Sequence, residues 1–136
     1  MVIVGKKGER RVKAADFFKG LFETDLKPAE ILAAAEFPAG GESVFLELSR
    51  RQGDYASAGI AAHRNGSGIR LAFFAVGSTP ILATHAAAAA KRSVAAAQEA
   101  LAQDLDPPAD LYHSGATKLH LARVLLGRAL AQWNMK

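Results

Sequence analysis

Tyr55-Ala56-Ser57-Ala58-Gly59-Ile60-Ala61-Ala62-His63-Arg64-Asn65-Gly66-Ser67-Gly68-Ile69-Arg70-Leu71-Ala72-Phe73-Phe74-Ala75-Val76 is the stretch that decides the fold. Its centre, Asn65-Gly66-Ser67-Gly68, is the strongest turn signal in the chain, because Asn-Gly supplies the positive φ angles that a type I′ hairpin needs. The run before it, Tyr55–His63, is made of small residues that suit a strand. The run after it, Ile69–Val76, sets Leu71, Phe73 and Ala75 alternately against Arg70, Ala72 and Phe74. A period of two on both sides of a tight turn predicts two adjacent antiparallel strands. Ser43–Ser49, bounded by Gly40-Gly41 and by Arg50-Arg51-Gln52-Gly53, reads as a further strand, and Gly77-Ser78-Thr79-Pro80 ends the set. Parallel βαβ units would need crossover helices between these strands, and the spacing leaves no room for them.

Upstream, Met1–Lys13 runs from Val2-Ile3-Val4 through Gly5-Lys6-Lys7-Gly8 to Val12 and reads as a β-hairpin with a basic tip. Asp16 stands where an N-cap would, ahead of Phe17-Phe18-Lys19-Gly20-Leu21-Phe22. The spacing predicts a short helix that turns Phe18, Leu21 and Phe22 to the core, although Gly20 interrupts it. Pro28–Phe37 supports two readings. Pro at the first helical position and several alanines favour a helix, whereas the Ile31–Phe37 region carries few charges and also fits a buried strand.

Downstream the composition shifts. His85–Leu105 is alanine-rich, with Lys91, Arg92, Gln98, Glu99 and Gln103 interspersed, which is a helical pattern. Ser93 can cap a second segment, so one broken helix or two short ones are both open. Asp106-Pro107-Pro108 forms a stiff extended break. A final helix of about five turns follows Gly115, with Leu119, Ala122, Leu126, Ala129, Leu130 and Trp133 on one stripe and Lys118, Arg123, Arg128 and Lys136 largely off it. Strands first and helices later, joined by tight turns, predict an α+β fold with an antiparallel sheet.

Composition narrows the function. At 136 residues the chain is one domain, or one domain with a short arm. The absence of cysteine removes disulfide frameworks, thiolate nucleophiles and all-Cys metal centres. No apolar run reaches the ~18 residues of a membrane span. The N-terminus is apolar before it is basic, the reverse of a signal peptide, so a cytoplasmic location is the expectation. The formal charge of +4 favours solubility without itself indicating nucleic acid. Lys6, Lys7, Arg10, Arg11 and Lys13 could form a phosphate-facing patch, but no aromatic is interleaved for base stacking, so a solvated hairpin is the simpler reading.

Chemistry-bearing motifs are few. There is no phosphate-cradling glycine loop and no His-Glu-x-x-His. His113 and His120 are separated by Gly115, and His63 and His85 stand apart, so no metal site is expected. Asp110, His113 and Ser114 supply triad residue types, but neighbours in a Pro-bounded loop rarely converge, and capping is the simpler role for Asp110 and Ser114. Ser49-Arg50-Arg51-Gln52-Gly53-Asp54-Tyr55-Ala56 stands out. At a tight junction of two strands it offers guanidinium for charge, Asp for a ring N–H and Tyr for stacking, a set that could meet a flat, polar heterocycle. The alternative is a surface turn with an Arg–Asp pair worth little.

Phe45-Leu46-Glu47-Leu48-Ser49-Arg50-Arg51-Gln52-Gly53-Asp54-Tyr55-Ala56 resembles the F-x-E-x-x-R-R-x-G-D-Y/F-A pattern of the flavoprotein (medium) subunits of molybdenum hydroxylases, the aerobic carbon monoxide dehydrogenases and their xanthine dehydrogenase relatives. Further stretches agree in order. They are Ala15–Thr24 (A-x-D-F-F-x-G-x-F-x-T), Leu26–Leu32, Phe74–Pro80 (F-x-V-G-x-T-P), Asp106–Leu111 and His120–Leu130. Thr117-Lys118-Leu119 departs from the family's Tyr-Arg-Arg before His-Leu. The resemblance implies the α+β C-terminal domain of such a subunit: an antiparallel sheet with helices packed on one side. It implies residues 1–13 as a remnant of an upstream FAD-binding region and 14–136 as the domain itself. It also implies FAD in the intact subunit, not retained by this chain alone. The expected partners are an iron–sulfur small subunit that delivers electrons and a molybdopterin large subunit that oxidises the substrate. The domain would cover the isoalloxazine, with Arg50, Arg51, Asp54 and Tyr55 facing the ring and no catalytic residue or metal ligand of its own. A protein–protein interaction module using its sheet edge or last helix is the competing expectation, and a basic nucleic-acid binder the third.

Overall fold

A computed structural model describes residues 1–134, the helix-terminal Asn134 by its backbone alone. The chain forms two compact units, Met1–Ala39 and Gly40–Lys136. The expected 13/14 boundary therefore does not coincide with the division between units: residues 14–39 fold with the hairpin.

In the first unit β1 (Val2–Gly5) pairs antiparallel with β2 (Gly8–Arg11) through the expected turn, and on its other side with β5 (Glu30–Ala34). Ile3 is fully buried. The hairpin's Lys6 and Lys7 are exposed, but Arg10 is tied down. Its Nε and Nη2 donate to both oxygens of Glu30 at 2.9 and 2.7 Å, and Nη1 donates to Asp25 at 2.7 Å. This fork holds the Glu30 carboxyl down at about 2, with the Lys27 backbone N–H adding to it. Arg11 meets Glu9 and Glu36.

Two expectations fail here. The helix near Asp16 is one turn only, α1 (Ala14–Phe17), and Asp16 lies inside it and caps nothing. Phe18–Gly20 (β3) instead pairs with Glu23–Thr24 (β4). Gly20 is a poor helix residue, and the hairpin satisfies its backbone groups instead. Only Phe17 is buried; Leu21 and Phe22 are exposed at the connecting turn, where Phe22 takes φ 59°. Pro28–Phe37 resolves as extended, because β5 bonds to β1, but not as a buried strand: Ile31 and Leu32 are exposed.

The second unit is the α+β layer that the sequence predicted. Its sheet runs β6 (Glu42–Ser49), β7 (Ala56–Asn65), β8 (Gly68–Phe74), β9 (Ile81–Leu82), all antiparallel. Asn65 pairs with Gly68 across the Gly66-Ser67 turn, which is not the expected type I′ form because neither Asn65 nor Gly66 takes a positive φ and Gly68 does, at 132°; the pairing fixes the register that sets Ile60 opposite Phe73 and Ala62 opposite Leu71. These four and Val44 face inward. Fully burying Ile60, Leu71 and Phe73 contributes about 1.5–3 kcal/mol each. Ala75 takes φ 60°, ending the strand at Phe74, two residues earlier than expected.

In this unit α2 (Thr84–Ala89) and α4 (Gly115–Asn134) pack on that one face, and α3 (Val94–Ala100) packs against both of them. The alanine-rich stretch is two helices, α2 and α3, split where the Ser93 hydroxyl accepts the Ala96 N–H at 3.0 Å. The last helix, α4, lies against β6 and β7 and buries Ala122, Leu125, Leu126, Ala129, Leu130 and Trp133. Arg64 of β7 secures its end, donating to the Trp133 carbonyl at 3.2 Å and to Glu42 at 2.7 Å. On the opposite face Phe74 stacks on Phe45, ring centroids 5.4 Å apart, directly over Gly59. Any Cβ at position 59 would run into the Phe74 ring. No helix among the described residues is long and apolar enough to cross a membrane.

Candidate functional site

Two connections of the second unit meet at one end of the sheet. The first is the β6–β7 turn. Gly53 takes φ +81°, a conformation that disfavours any side chain there, and the Asp54 N–H closes onto the Arg51 carbonyl at 3.1 Å. The Ser49 hydroxyl donates to the same carbonyl, and Asp54 accepts its neighbour's N–H, from Tyr55, at 2.9 Å. These bonds fix the backbone of the turn and leave its larger side chains outward.

The second connection is the stretch between Pro107-Pro108 and α4. Asp110 accepts the backbone N–H groups of Tyr112 and His113, each at 2.8 Å, while its own N–H bonds to the His113 carbonyl. Its other oxygen meets Lys118 Nζ at 2.7 Å. The Lys118 bond, then the two backbone bonds, hold the Asp110 carboxyl well below the usual carboxylate range. Ser114 caps α4, accepting the Thr117 N–H at 3.1 Å, and Gly115 lets the Pro107 carbonyl pass where a side chain would clash.

Between the two connections is a cleft of about 320 Å³, lined by Arg50, Asp54, Tyr55, Ser57, Leu111 and Tyr112 among others. The Arg50 guanidinium lies over the Tyr112 ring, its carbon 3.6 Å from the centroid. Its pairing with Asp54 is loose, at 3.5 Å. Tyr55 is 94% exposed and takes no part in the core. Of the four residues singled out in the sequence, Arg50, Asp54 and Tyr55 come together at this cleft; Arg51 does not line it, and its guanidinium has no hydrogen bond among the described residues.

Sequence reasoning missed Tyr112 and Lys118. Tyr112 carries no periodic signal in its Pro-bounded loop. Lys118 was placed off the apolar stripe, yet it is 7% exposed, and its spacing to Ala122, Leu125 and Ala129 is that of one helix face. Asp110 organises the loop where a simple helix cap was expected. The histidines stay apart: His63 Nδ1 lies 2.9 Å from the Ser43 hydroxyl, and His85 Nδ1 lies 2.8 Å from Asp104. No group of three metal-ligating side chains occurs among the described residues.

With sheet, helices and cleft in place, the likeness to known proteins is specific. Residues 43–133 match the CO dehydrogenase flavoprotein C-terminal domain. The chain belongs to that family. It is 41% identical over 63 residues to the glyceraldehyde dehydrogenase medium chain of Sulfolobus acidocaldarius, a match covering 45% of this chain and 22% of that one. Among solved structures it resembles a chain of quinoline 2-oxidoreductase from Pseudomonas putida 86, with TM-score 0.86 and 31% identity over 97% of this chain and 50% of that one. It also resembles a chain of the carbon monoxide dehydrogenase of Hydrogenophaga pseudoflava, with TM-score 0.82 and 32% identity over 96% and 50%. The chain thus spans about half the length of these solved relatives.

Proposed function

We propose that this chain serves as the flavin-covering part of a medium subunit in a molybdenum hydroxylase of the carbon monoxide dehydrogenase type. In the intact subunit FAD is held by an upstream region, of which residues 1–13 are the end. Electrons reach it from the iron–sulfur small subunit after a molybdopterin large subunit has oxidised the substrate, in the cytoplasm. One observation carries the reading. In a domain of this family, Tyr55 is left uncovered beside a guanidinium held over an aromatic ring, at the mouth of a cleft. Unpacked aromatic surface next to a fixed cation suits a planar ring that accumulates negative charge.

The residues fit that role. Tyr55 offers a face for stacking, on the order of 0.5–1.5 kcal/mol. Arg50 supplies positive charge at the cleft, Arg51 adds to it from outside the lining, and Asp54 sets the turn that presents Tyr55. FAD itself supplies the electron-accepting ring; the protein orients it and keeps water from it.

The test is Tyr55→Ala in the complete flavoprotein. Because Tyr55 is solvent-exposed in this fold, its loss is expected to leave the melting temperature unchanged while the flavin's reduction potential and oxygen reactivity move. A fall in stability with wild-type flavin properties overturns the assignment. The isolated chain is expected to purify colourless, since no glycine loop cradles a pyrophosphate. Stoichiometric, dialysis-resistant flavin in that preparation would contradict this.

A further inference from the structure

We propose that Lys118 is a positioning residue for the cleft, holding the Arg50 guanidinium in place through Asp110 and Tyr112. The inference rests on the flavin reading for its consequence but not for its geometry.

Arg50 is a long, flexible side chain whose carboxylate partner, Asp54, stands at the limit of hydrogen bonding, at 3.5 Å. What orders it is the Tyr112 ring, 3.6 Å from the guanidinium carbon. Tyr112 in turn is 62% exposed, so core packing does not hold its ring. Its position comes from the backbone of the 110–113 turn, and that turn closes around one carboxylate. Asp110 receives the N–H groups of Tyr112 and His113 on one oxygen and Lys118 on the other.

Lys118 is a buried lysine on α4, 7% exposed. A lysine whose stem is buried needs a partner for its ammonium, and Asp110 is the carboxylate that meets it, at 2.7 Å. A leucine would extend the apolar stripe of α4 without desolvating a charge. Instead the helix commits a lysine to this place, and thereby fixes which way the Asp110 carboxylate faces. A rigid element of the core reaches, through two residues, the cation at the mouth of the cleft.

The experiment is side-chain NMR on this chain. The Arg50 side-chain protons are expected upfield, shifted by the Tyr112 ring current, with Tyr112→Leu marking the unshifted position. Lys118→Met keeps the buried stem but removes the ammonium, and it is expected to lose most of that upfield shift while the sheet amides and the Trp133 indole signal stay in place. Lys118→Arg is expected to restore it. A folded Lys118→Met with the Arg50 shift intact overturns the proposal. Should that variant not fold, Asp110→Ala cuts the same link from its solvent side, and an unchanged Arg50 shift there overturns it equally. In the complete flavoprotein, Lys118→Met is expected to move the flavin potential in the same direction as Arg50→Leu. If the Arg50 shift collapses while neither variant moves the potential, the positioning role stands and the flavin reading falls.

Discussion

Replacing Trp133 by alanine tests how the last helix is anchored. Trp133 is 6% exposed and packs with Leu126, Ala129 and Leu130 in the core beneath the sheet. Truncating a buried Trp costs about 3–5 kcal/mol through lost burial and the cavity left behind. One local term modifies that figure. The Arg64 guanidinium sits 5.2 Å from the ring centroid, and losing this cation–π contact adds about 0.5–1 kcal/mol. The hydrogen bond from Arg64 goes to the Trp133 carbonyl, which the substitution keeps. The indole Nε1 is buried and has no hydrogen-bond partner among the described residues, so no protein bond is lost there. Trp133→Phe, which keeps an aromatic but drops that donor, should therefore cost less than half of Trp133→Ala. The assay is urea unfolding followed by far-UV circular dichroism, backed by thermal melts. For a domain of this size each kcal/mol moves the melting temperature by roughly 4–8 °C. Wild-type Trp emission should be blue-shifted, as for a buried indole. Solvent-like emission and an unchanged midpoint in Trp133→Ala would show that the end of α4 is free and the packing argument wrong.

The clamp on Glu30 makes a pH prediction. Its folded pKa is lowered from an ordinary 4.5 to about 2, so its contribution is complete above the unfolded value and is lost as pH falls through the folded one. Acid unfolding of the first unit should steepen between about pH 4.5 and 2, with a Glu30 carboxyl NMR titration midpoint near 2; Arg10→Gln should return that midpoint to the ordinary range. Gly59→Ala should displace Phe74 from its stack on Phe45 and destabilise the sheet by about 1–3 kcal/mol, read from near-UV circular dichroism and unfolding midpoints; an unaltered aromatic spectrum would count against the close approach. Ser114→Ala removes the N-cap of α4 and should cost about 1 kcal/mol by denaturant unfolding; no loss would mean that the cap is satisfied by water.

The sequence by itself determined the second unit's sheet, because its information is local. Asn65-Gly66-Ser67-Gly68 marks where the chain turns, though the positive φ falls at Gly68 and not at the Asn-Gly pair; the Asn65–Gly68 pairing fixes the β7–β8 register, and the period-two pattern then selects the inward face. Ser93 announced the break between α2 and α3, and the spacing of Ala122, Leu126 and Trp133 announced the buried side of α4. The Arg50–Tyr55 turn was legible for the same reason, since its residue types are contiguous. Elsewhere local preference lost to pairing partners distant in the chain. Phe18–Gly20 left the helical pattern for a hairpin, and Glu30–Ala34 became a strand because β1 offered it hydrogen bonds. The cleft, too, was only half visible. Tyr112 lies more than fifty residues from Arg50, and nothing periodic marks it. Lys118 reads as a solvent-facing charge until Asp110 is placed within reach of its Nζ, at 2.7 Å. A buried lysine is tolerated only where a counter-charge arrives from another segment, and only the tertiary structure decides where that happens.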